Sequence, residues 1–200
     1  MSDDTDFLPL RRRFDAMVPL PEEQWLRMVP FLKRRELEPG QFFVRAGDHS
    51  TTVGYMDSGT LRYYTSTEGR EFIRHFCFGG HFVSASASPD SREPSLYSIQ
   101  ALETSRLVTF SYADWVSLLT AHTVWGQIAQ KIHEETLERN EKRERSLALE
   151  DAKTRYQRCL EEFPGIETRV KQYDIASYLG ITPVALSRLR GQPAGRSNRN

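Results

Sequence analysis

The chain has 200 residues, of which 38% are hydrophobic and 27% are charged, and its 27 basic residues balance its 27 acidic residues. This length predicts one or two domains, and the neutral balance means that only a local excess of basic residues would indicate a polyanionic partner. No apolar run reaches the 18 residues of a membrane span and the acidic start does not resemble a signal peptide, so we expect a cytoplasmic protein with no membrane partner.

The first forty residues are predicted to be helical. Pro21 is followed by two acidic residues, which suits the first turn of a helix, and apolar residues then recur at helical spacing up to Leu32.

The sequence pattern changes from Gln41 to Ser111, where short β-rich runs alternate with turn residues. These runs cover 42–45, 53–56, 61–65, 71–78, 98–102 and 106–111. Such spacing predicts an antiparallel sandwich or barrel.

From Asp114 the hydrophobic period is helical again, and one long helix is predicted up to residue 149. Its first half carries an apolar seam of coiled-coil type that includes Leu118, Trp125, Ile128 and Ile132. The stretch 134–145 is nearly all charged, with acid-first pairs four residues apart that stabilise an exposed helix. The seam predicts pairing with a second copy in a homodimer, and a surface helix lying on the barrel is the alternative.

A further helix is predicted at 152–163, and residues 172–190 then fit a helix-turn-helix. Gly180 supplies the left-handed backbone of a tight turn, Thr182 is a favourable N-cap and Pro183 suits the first turn of the second helix. Apolar residues at helical spacing on both helices, among them Leu186, would form a small core. The last 30 residues carry five basic side chains and one acidic side chain, which is the local excess that predicts a nucleic-acid partner.

The second helix of this motif is predicted to enter the major groove of DNA with its N-terminal residues first. The residues expected to face outward are Pro183, Val184, Ser187, Arg188 and Arg190. Arg188 is predicted to fork onto guanine, while phosphates are expected to be held by Lys171, Thr182, Ser187 and Arg190. An ordinary helical hairpin with a glycine turn is the structural alternative.

The order of a β-rich segment, a long helix and a terminal helix-turn-helix resembles the Crp/Fnr (catabolite activator) family of bacterial regulators. The resemblance covers nearly the whole chain and is carried by LEPGQFFVRAGD at 37–48, DSG at 57–59, FGGHF at 78–82 and the helix-turn-helix. It implies an α+β fold with N-terminal helices and an antiparallel β jelly roll at 1–113, a dimerisation helix at 114–149 and a DNA-binding domain at 150–200. The implied partners are palindromic double-stranded DNA, a second copy of the chain and RNA polymerase.

The nucleotide site of that family is not retained. In the family, Gly-Glu-Leu follows a glycine turn and Arg-Ser comes some ten residues later, and the Glu and Arg hold the ribose and the cyclic phosphate. In this chain the positions that correspond to that Glu and that Arg carry neither a carboxylate nor a guanidinium. Arg92, close by in the sequence, is the candidate substitute. The resulting degenerate effector pocket comprises Gly80, Val83, Ser84, Ala85, Ser95 and Leu96. We therefore expect no cofactor, no cyclic AMP bound in the usual way and an effector whose identity is open.

Two further departures concern the DNA-binding end. Family members follow the recognition helix with a two-stranded wing, but residues 191–200 are expected to form a disordered tail in which Arg196 and Arg199 contact phosphates loosely. Many relatives carry Glu early in the recognition helix. Val184 occupies that position here, so we expect a different operator and a contact with a thymine methyl group.

Two alternatives come from other classes of protein. His75, Cys77 and His81 partly imitate a cupin metal motif, which would indicate a metal-dependent enzyme or, through either histidine, a haem site. The expected Glu of that motif is missing, and Cys77 and Cys159 alone are too few for a disulfide scaffold or a four-cysteine cluster. A ligand-binding adaptor that uses its terminal helices for protein contact is the second alternative.

Overall fold

The computed structural model describes residues 7–85 and 93–191. The helices are α1 Leu8–Met17, α2 Glu22–Met28, α3 Tyr112–Ala121, α4 Thr123–Leu149, α5 Ala152–Glu162, α6 Ile166–Arg169, α7 Gln172–Leu179 and α8 Pro183–Arg190. The strands are β1 Lys33–Leu37, β2 Phe42–Val44, β3 Thr52–Ser58, β4 Thr60–Thr67, β5 Arg70–Phe78, β6 Phe82–Ser84, β7 Ser98–Ala101 and β8 Ser105–Ser111. The expectations for Arg92, Arg196 and Arg199 lie outside the described residues.

The eight strands form two antiparallel sheets of four strands each, in the orders β1-β8-β3-β6 and β2-β7-β4-β5. Alternate side chains of both sheets meet in one apolar core, in which Met56 and Leu107 come from the first sheet and Leu61 and Ile99 from the second. The predicted antiparallel jelly roll is therefore confirmed. We call this unit the roll.

Two strands of the roll were not predicted, and one of them corrects the expectation that the first forty residues are helical. β1 is rich in charged residues and buries Leu37 alone, so it has no alternating pattern that would indicate a strand. Its pairing with β8, for instance Leu37 opposite Ser105, joins residues far apart in the chain. β6, at Phe82–Ser84, is too short to give a sequence signal.

The long helix predicted from Asp114 is in fact two helices. His122 lies between them in an extended conformation, with φ −160° and ψ 142°. Its Nδ1 accepts a hydrogen bond from the backbone N–H of Val124 at 3.1 Å, so the histidine caps the start of α4. The chain therefore turns at His122, and only the 27 residues of α4 form the long helix.

The apolar seam of this region packs against the N-terminal helices of the same chain. Trp125 of α4 lies against Phe14 of α1, with ring centroids 5.8 Å apart, and its indole N–H donates to Gln24 of α2 at 3.2 Å. The seam residues that share this core are Leu118, Trp125, Ile128 and, partly buried, Ile132. Leu118, Trp125 and Ile128 are buried in the core of their own chain, so the structure corrects the expectation that these three residues face a second copy, whereas Ile132 is only partly buried.

A third apolar core joins the roll to the C-terminal helices α5–α8, which we call the head. Phe76 of β5 contacts Tyr178 of α7 at a ring-centroid distance of 5.3 Å, and Phe163 at the end of α5 lies beside both rings. The head therefore packs on the outer face of the second sheet. No helix in residues 7–85 and 93–191 is long and apolar enough to span a membrane.

Candidate nucleic-acid interface

The turn between α7 and α8 has the geometry that its sequence predicts. Gly180 adopts φ 67° and ψ 33°, in the left-handed region that other residues enter only at a cost. The N–H of Ile181 then donates back to the carbonyl of Ala176 at 3.0 Å, which closes the end of α7. Thr182 Oγ1 accepts from the N–H of Ala185 at 3.2 Å, so the predicted N-cap of α8 is confirmed.

The inner faces of these two helices form the core of the head. Ile175 and Leu179 of α7 are buried, and so is Leu186 of α8. Ile181 in the turn is partly buried against the same cluster, as its position between the helices predicts. Leu189 is only half-buried, so α8 is anchored mainly by its middle turn.

The outer face of α8 and the residues beside it are open to solvent. Val184, early in α8, is 61% exposed. The sequence-predicted contact residues that the structure leaves exposed are Lys171, Thr182, Pro183, Val184, Ser187, Arg188 and Arg190. The structure brings the last six together on α8 and its cap, while Lys171 lies at the start of α7.

The two arginines of α8 differ in their partners. Arg190 Nε lies 2.8 Å from Glu167 Oε1 in an ion pair with α6, and Tyr156 O–H donates to the same oxygen at 2.7 Å. Desolvation and this bond to the Glu167 carboxylate raise the pKa of Tyr156 to about 12. Arg188 has no ion pair with any other described residue, so its guanidinium is available to a ligand.

Two further arginines bind the C-terminal end of α7, and the sequence analysis did not predict them. Arg143 of α4 donates to the carbonyl of Tyr178 and lies over its ring, and Arg155 Nε of α5 donates to the carbonyl of Leu179 at 2.9 Å. They satisfy carbonyls at the end of α7 that lack partners within the helix. No local signal predicts either contact, because the partners are 35 and 24 residues apart in the chain.

The residues of the degenerate effector pocket are only partly brought together. Gly80 lies in the turn between β5 and β6, Val83 is buried and Ser84 is half-buried on β6. Ser95 is buried, and its hydroxyl donates to the carbonyl of Ala85 at 3.2 Å. Leu96, by contrast, is 79% exposed. The two positions that hold the ribose and the phosphate in the resembled family are therefore joined here by a hydrogen bond from the neutral Ser95 hydroxyl to the backbone carbonyl of Ala85.

Aromatic side chains lie beside this pocket. The ring of Tyr63 on β4 contacts His75 at 5.8 Å and Tyr97 at 5.6 Å, and His75 also lies 6.0 Å from Phe163 of the head. Desolvation lowers the pKa of His75 well below 6.5, helped by the positive charges of Arg139, His81 and Arg143, so the imidazole is neutral at pH 7. The imidazole thus packs as a neutral ring between the roll and the head.

The residues of the metal alternative do not assemble. Burial raises the pKa of the Cys77 thiol to about 12, which keeps it protonated and unsuited to bind a metal. His81 Nδ1 lies 3.2 Å from the carbonyl of Phe78. Across the described ranges, no three His, Cys, Asp or Glu side chains are placed to hold a metal ion, and His75, Cys77 and His81 are no exception.

Comparisons with known proteins agree with this architecture. Residues 34–122 match the model of the cyclic nucleotide-binding domain. The chain is 27% identical to the fumarate and nitrate reduction regulatory protein of Vibrio cholerae, over 80% of this chain and 68% of that protein. The fold is similar to that of FixK2 from Bradyrhizobium japonicum, with a TM-score of 0.70, 17% identity and coverage of 80% and 83%. It is equally similar, at 19% identity and coverage of 89% and 85%, to a structure from Eubacterium rectale described as a transcriptional regulator of the Crp/Fnr family.

Proposed function

We propose that the chain is a DNA-binding transcription regulator of the Crp/Fnr type that acts as a homodimer on a palindromic operator, because residues 34–122 match the cyclic nucleotide-binding domain and the similar proteins are regulators of this type. Both the relative from Vibrio cholerae and the structure from Eubacterium rectale are named as regulators, which supports this class over an enzyme. At a promoter, such a protein would act through RNA polymerase.

The observation that carries this proposal is the exposed outer face of α8. A helix that served only to complete the core of the head would bury its apolar side chains, yet Val184 is exposed and Arg188 has no described ion-pair partner. In a helix-turn-helix, the N-terminal part of the second helix contacts base edges in the major groove. In this proposal Val184 touches a thymine methyl group and Arg188 forks onto guanine O6 and N7.

The polar residues around α8 fit the contacts that hold such a helix in register. Thr182 and Ser187 offer hydroxyl groups, and Lys171 offers an ammonium group at the start of α7. Contacts of this kind go to phosphate oxygens and carry no sequence information directly. Arg190 reaches a phosphate only if it leaves Glu167, so its contribution to DNA affinity is expected to be smaller than that of Arg188.

Homodimer formation requires a surface other than the apolar seam, which is buried within the protomer. The half of α4 that follows Ile132 is mostly exposed, and Leu137 is a large apolar residue on that side. The ion pair between Glu138 and Lys142 lies within the same helix and leaves α4 available. We therefore place the second copy along this half of α4, where two heads would lie side by side to read a palindrome.

The roll is proposed to respond to an effector other than cyclic AMP. Ala85 and Ser95 stand where the resembled family has the carboxylate and guanidinium that hold the nucleotide, and they bond to each other instead. An effector acts only if it binds one arrangement of the heads better than another.

The proposal is tested by selecting fragments of the source genome with the purified protein. Arg188→Ala should relax the base preference at one position of each half-site, because a bidentate arginine discriminates by about 1–3 kcal/mol. Arg158→Ala is the matched control, since Arg158 is an exposed residue on α5 of the same head and its ion-pair partner among the described residues is Glu150. If Arg188→Ala selects the same sequences as the wild type, α8 is not the recognition helix.

A further inference from the structure

The first helix of the head is attached to the roll by hydrogen bonds as well as by apolar packing. β5 is an edge strand of the second sheet, and α7 lies against it. Ser177 Oγ accepts from the N–H of Ile73 at 3.0 Å and donates to the carbonyl of Glu71 at 3.1 Å. One serine of α7 thus satisfies two backbone groups at the open edge of the sheet.

A buried ion pair lies beside this serine and joins the roll to the head. Arg62 Nη1 of β4 donates to Asp174 Oδ1 of α7 at 2.8 Å, and the two side chains are only 8% and 1% exposed. The pair links residues 112 positions apart. Among the described residues, Arg62 is the one roll residue that forms an ion pair with Asp174, and it does so from a central strand of its sheet.

The guanidinium of Arg62 is fixed in direction by the roll itself. Its Nε and Nη2 donate to Gln100 Oε1 at 3.0 and 2.7 Å, and its Nη1 also donates to Glu71 Oε2 at 2.7 Å. The planar group therefore has little freedom to turn. Asp174 must come to the position that Arg62 sets, so the pair defines where the first turn of α7 lies on the roll.

Asp174 depends on this single partner. Its Oδ2 is buried and has no hydrogen-bond partner among the described residues, so Arg62 supplies the side-chain hydrogen bond that compensates its burial. A buried pair of this kind adds little net stability, but loss of Arg62 would leave the Asp174 carboxylate buried without compensation. The ion pair therefore contributes little to the stability of the fold, but it strongly favours one position of α7 on the roll.

α7 and α8 move together, because Ile181 in their turn bonds to Ala176 and Leu186 of α8 shares the core of α7. Two heads read a palindrome only when their recognition helices are about one helical turn of DNA apart, roughly 34 Å. We propose that Arg62 of the roll is a positioning residue for the recognition helix, which fixes through Asp174 the half-site spacing that the dimer accepts. This inference rests on the proposed function.

The attachment itself is tested without DNA. Hydrogen exchange is measured on the full chain for the wild type, Arg62→Gln, Asp174→Asn, the double variant and Arg106→Gln. The last is the matched control, since Arg106 is also a roll arginine but pairs with Glu36 at the exposed surface of the roll. Exchange of the Ile73 amide should rise at least tenfold in the first three variants and stay unchanged in Arg106→Gln. If exchange of the Ile73 amide is unchanged in Arg62→Gln, the ion pair does not attach α7 to the roll.

The positioning role is tested with a library of palindromes that differ only in the spacer between half-sites. The wild type and Arg106→Gln should prefer one spacing, and Arg62→Gln and Asp174→Asn should lose at least tenfold of that preference. The double variant should behave like either single variant, because both remove the same contact. The salt dependence of binding should not change, because Arg62 touches no phosphate.

Several results overturn the positioning role. These are an unchanged spacing preference in Arg62→Gln, additive losses in the double variant, or tighter binding at the preferred spacing. Arg62→Lys keeps the positive charge but not the planar guanidinium, so it should recover part of the spacing preference. Partial recovery would show that the loss of preference in Arg62→Gln is not caused by a failure to fold. If the wild type binds no palindrome, the proposed function is wrong. The hydrogen-exchange data would then still test whether Arg62 and Asp174 attach the head to the roll.

Discussion

Glu167 Oε1 lies 2.8 Å from Arg190 Nε, so this ion pair holds the last turn of α8 against α6 within the head. The sequence predicts Arg190 as a phosphate contact, because it is a basic residue on the outer side of α8. The structure gives it a partner that any phosphate would have to replace. The neighbouring Arg188 is exposed and has no such partner in residues 7–85 and 93–191.

We therefore expect Arg188→Ala and Arg190→Ala to differ. Loss of the Arg188 guanidinium should weaken operator binding by about 1–3 kcal/mol, roughly 5- to 150-fold. Arg190→Ala should weaken it less than about fivefold and lower the midpoint of thermal unfolding by no more than about 4 °C, because a partly exposed ion pair contributes at most about 1 kcal/mol. Anisotropy titrations and thermal melts of both variants check this, and an equal loss of affinity in the two would contradict it.

Gly180→Ala should destabilise the head. The glycine has φ 67°, a conformation that costs an L-residue about 1–2 kcal/mol, whereas the added Cβ would meet only Leu147 Cδ2 at an ordinary 3.5 Å. The expected fall in the thermal midpoint is about 2–8 °C. Gly126→Ala is the control, because Gly126 is an exposed residue of α4 with nothing within 4 Å of its Cβ position, and alanine there should stabilise by about 0.5–1 kcal/mol. A Gly180→Ala protein as stable as the wild type would rule out the left-handed turn.

Protonation of His75 should make the protein sensitive to mild acid. The pKa of His75 is lower in the folded protein than in the unfolded chain. As the pH falls below about 6.5, the unfolded chain therefore binds a proton before the folded protein does. The free energy of unfolding decreases over the pH range between the unfolded and the folded pKa. His75→Phe keeps a ring between Tyr63 and Phe163 but cannot titrate. Urea unfolding at pH 7.5 and pH 5.0 should show a larger loss of stability in the wild type than in His75→Phe. Equal losses would mean that the imidazole is not held neutral.

Cyclic AMP should not stabilise the protein. A ligand at 100 times its dissociation constant adds about 2.7 kcal/mol of stability, which is several degrees in a thermal melt. Because Ala85 and Ser95 carry neither the carboxylate nor the guanidinium of the resembled family, we expect no shift at millimolar cyclic AMP beyond that produced by 5′-AMP. A shift of several degrees that is specific to the cyclic nucleotide would show that other groups hold it.

Features that depend on residues close together in the chain could be predicted from the sequence, whereas contacts between residues far apart in the chain could not. The turn at Gly180 and the cap at Thr182 depend on neighbours within a few residues, so the helix-turn-helix could be predicted nearly to the residue. The seam around Trp125 showed that one face is apolar but not what covers it, and α1 and α2 cover it instead of a second chain. The pair of Arg62 and Asp174 spans 112 positions, and neither residue carries a local signal of the other.

The most direct test of the central claim, that α8 reads DNA, is the salt dependence of binding to a selected palindrome. Fluorescence anisotropy is measured with the wild type over a series of salt concentrations. The proposal predicts a preferred fragment whose binding constant falls steeply on a double-logarithmic plot, with a slope of about −0.9 for each neutralised phosphate. The absence of any preferred fragment together with a flat response to salt would contradict it, and the terminal helices would then be a structural hairpin.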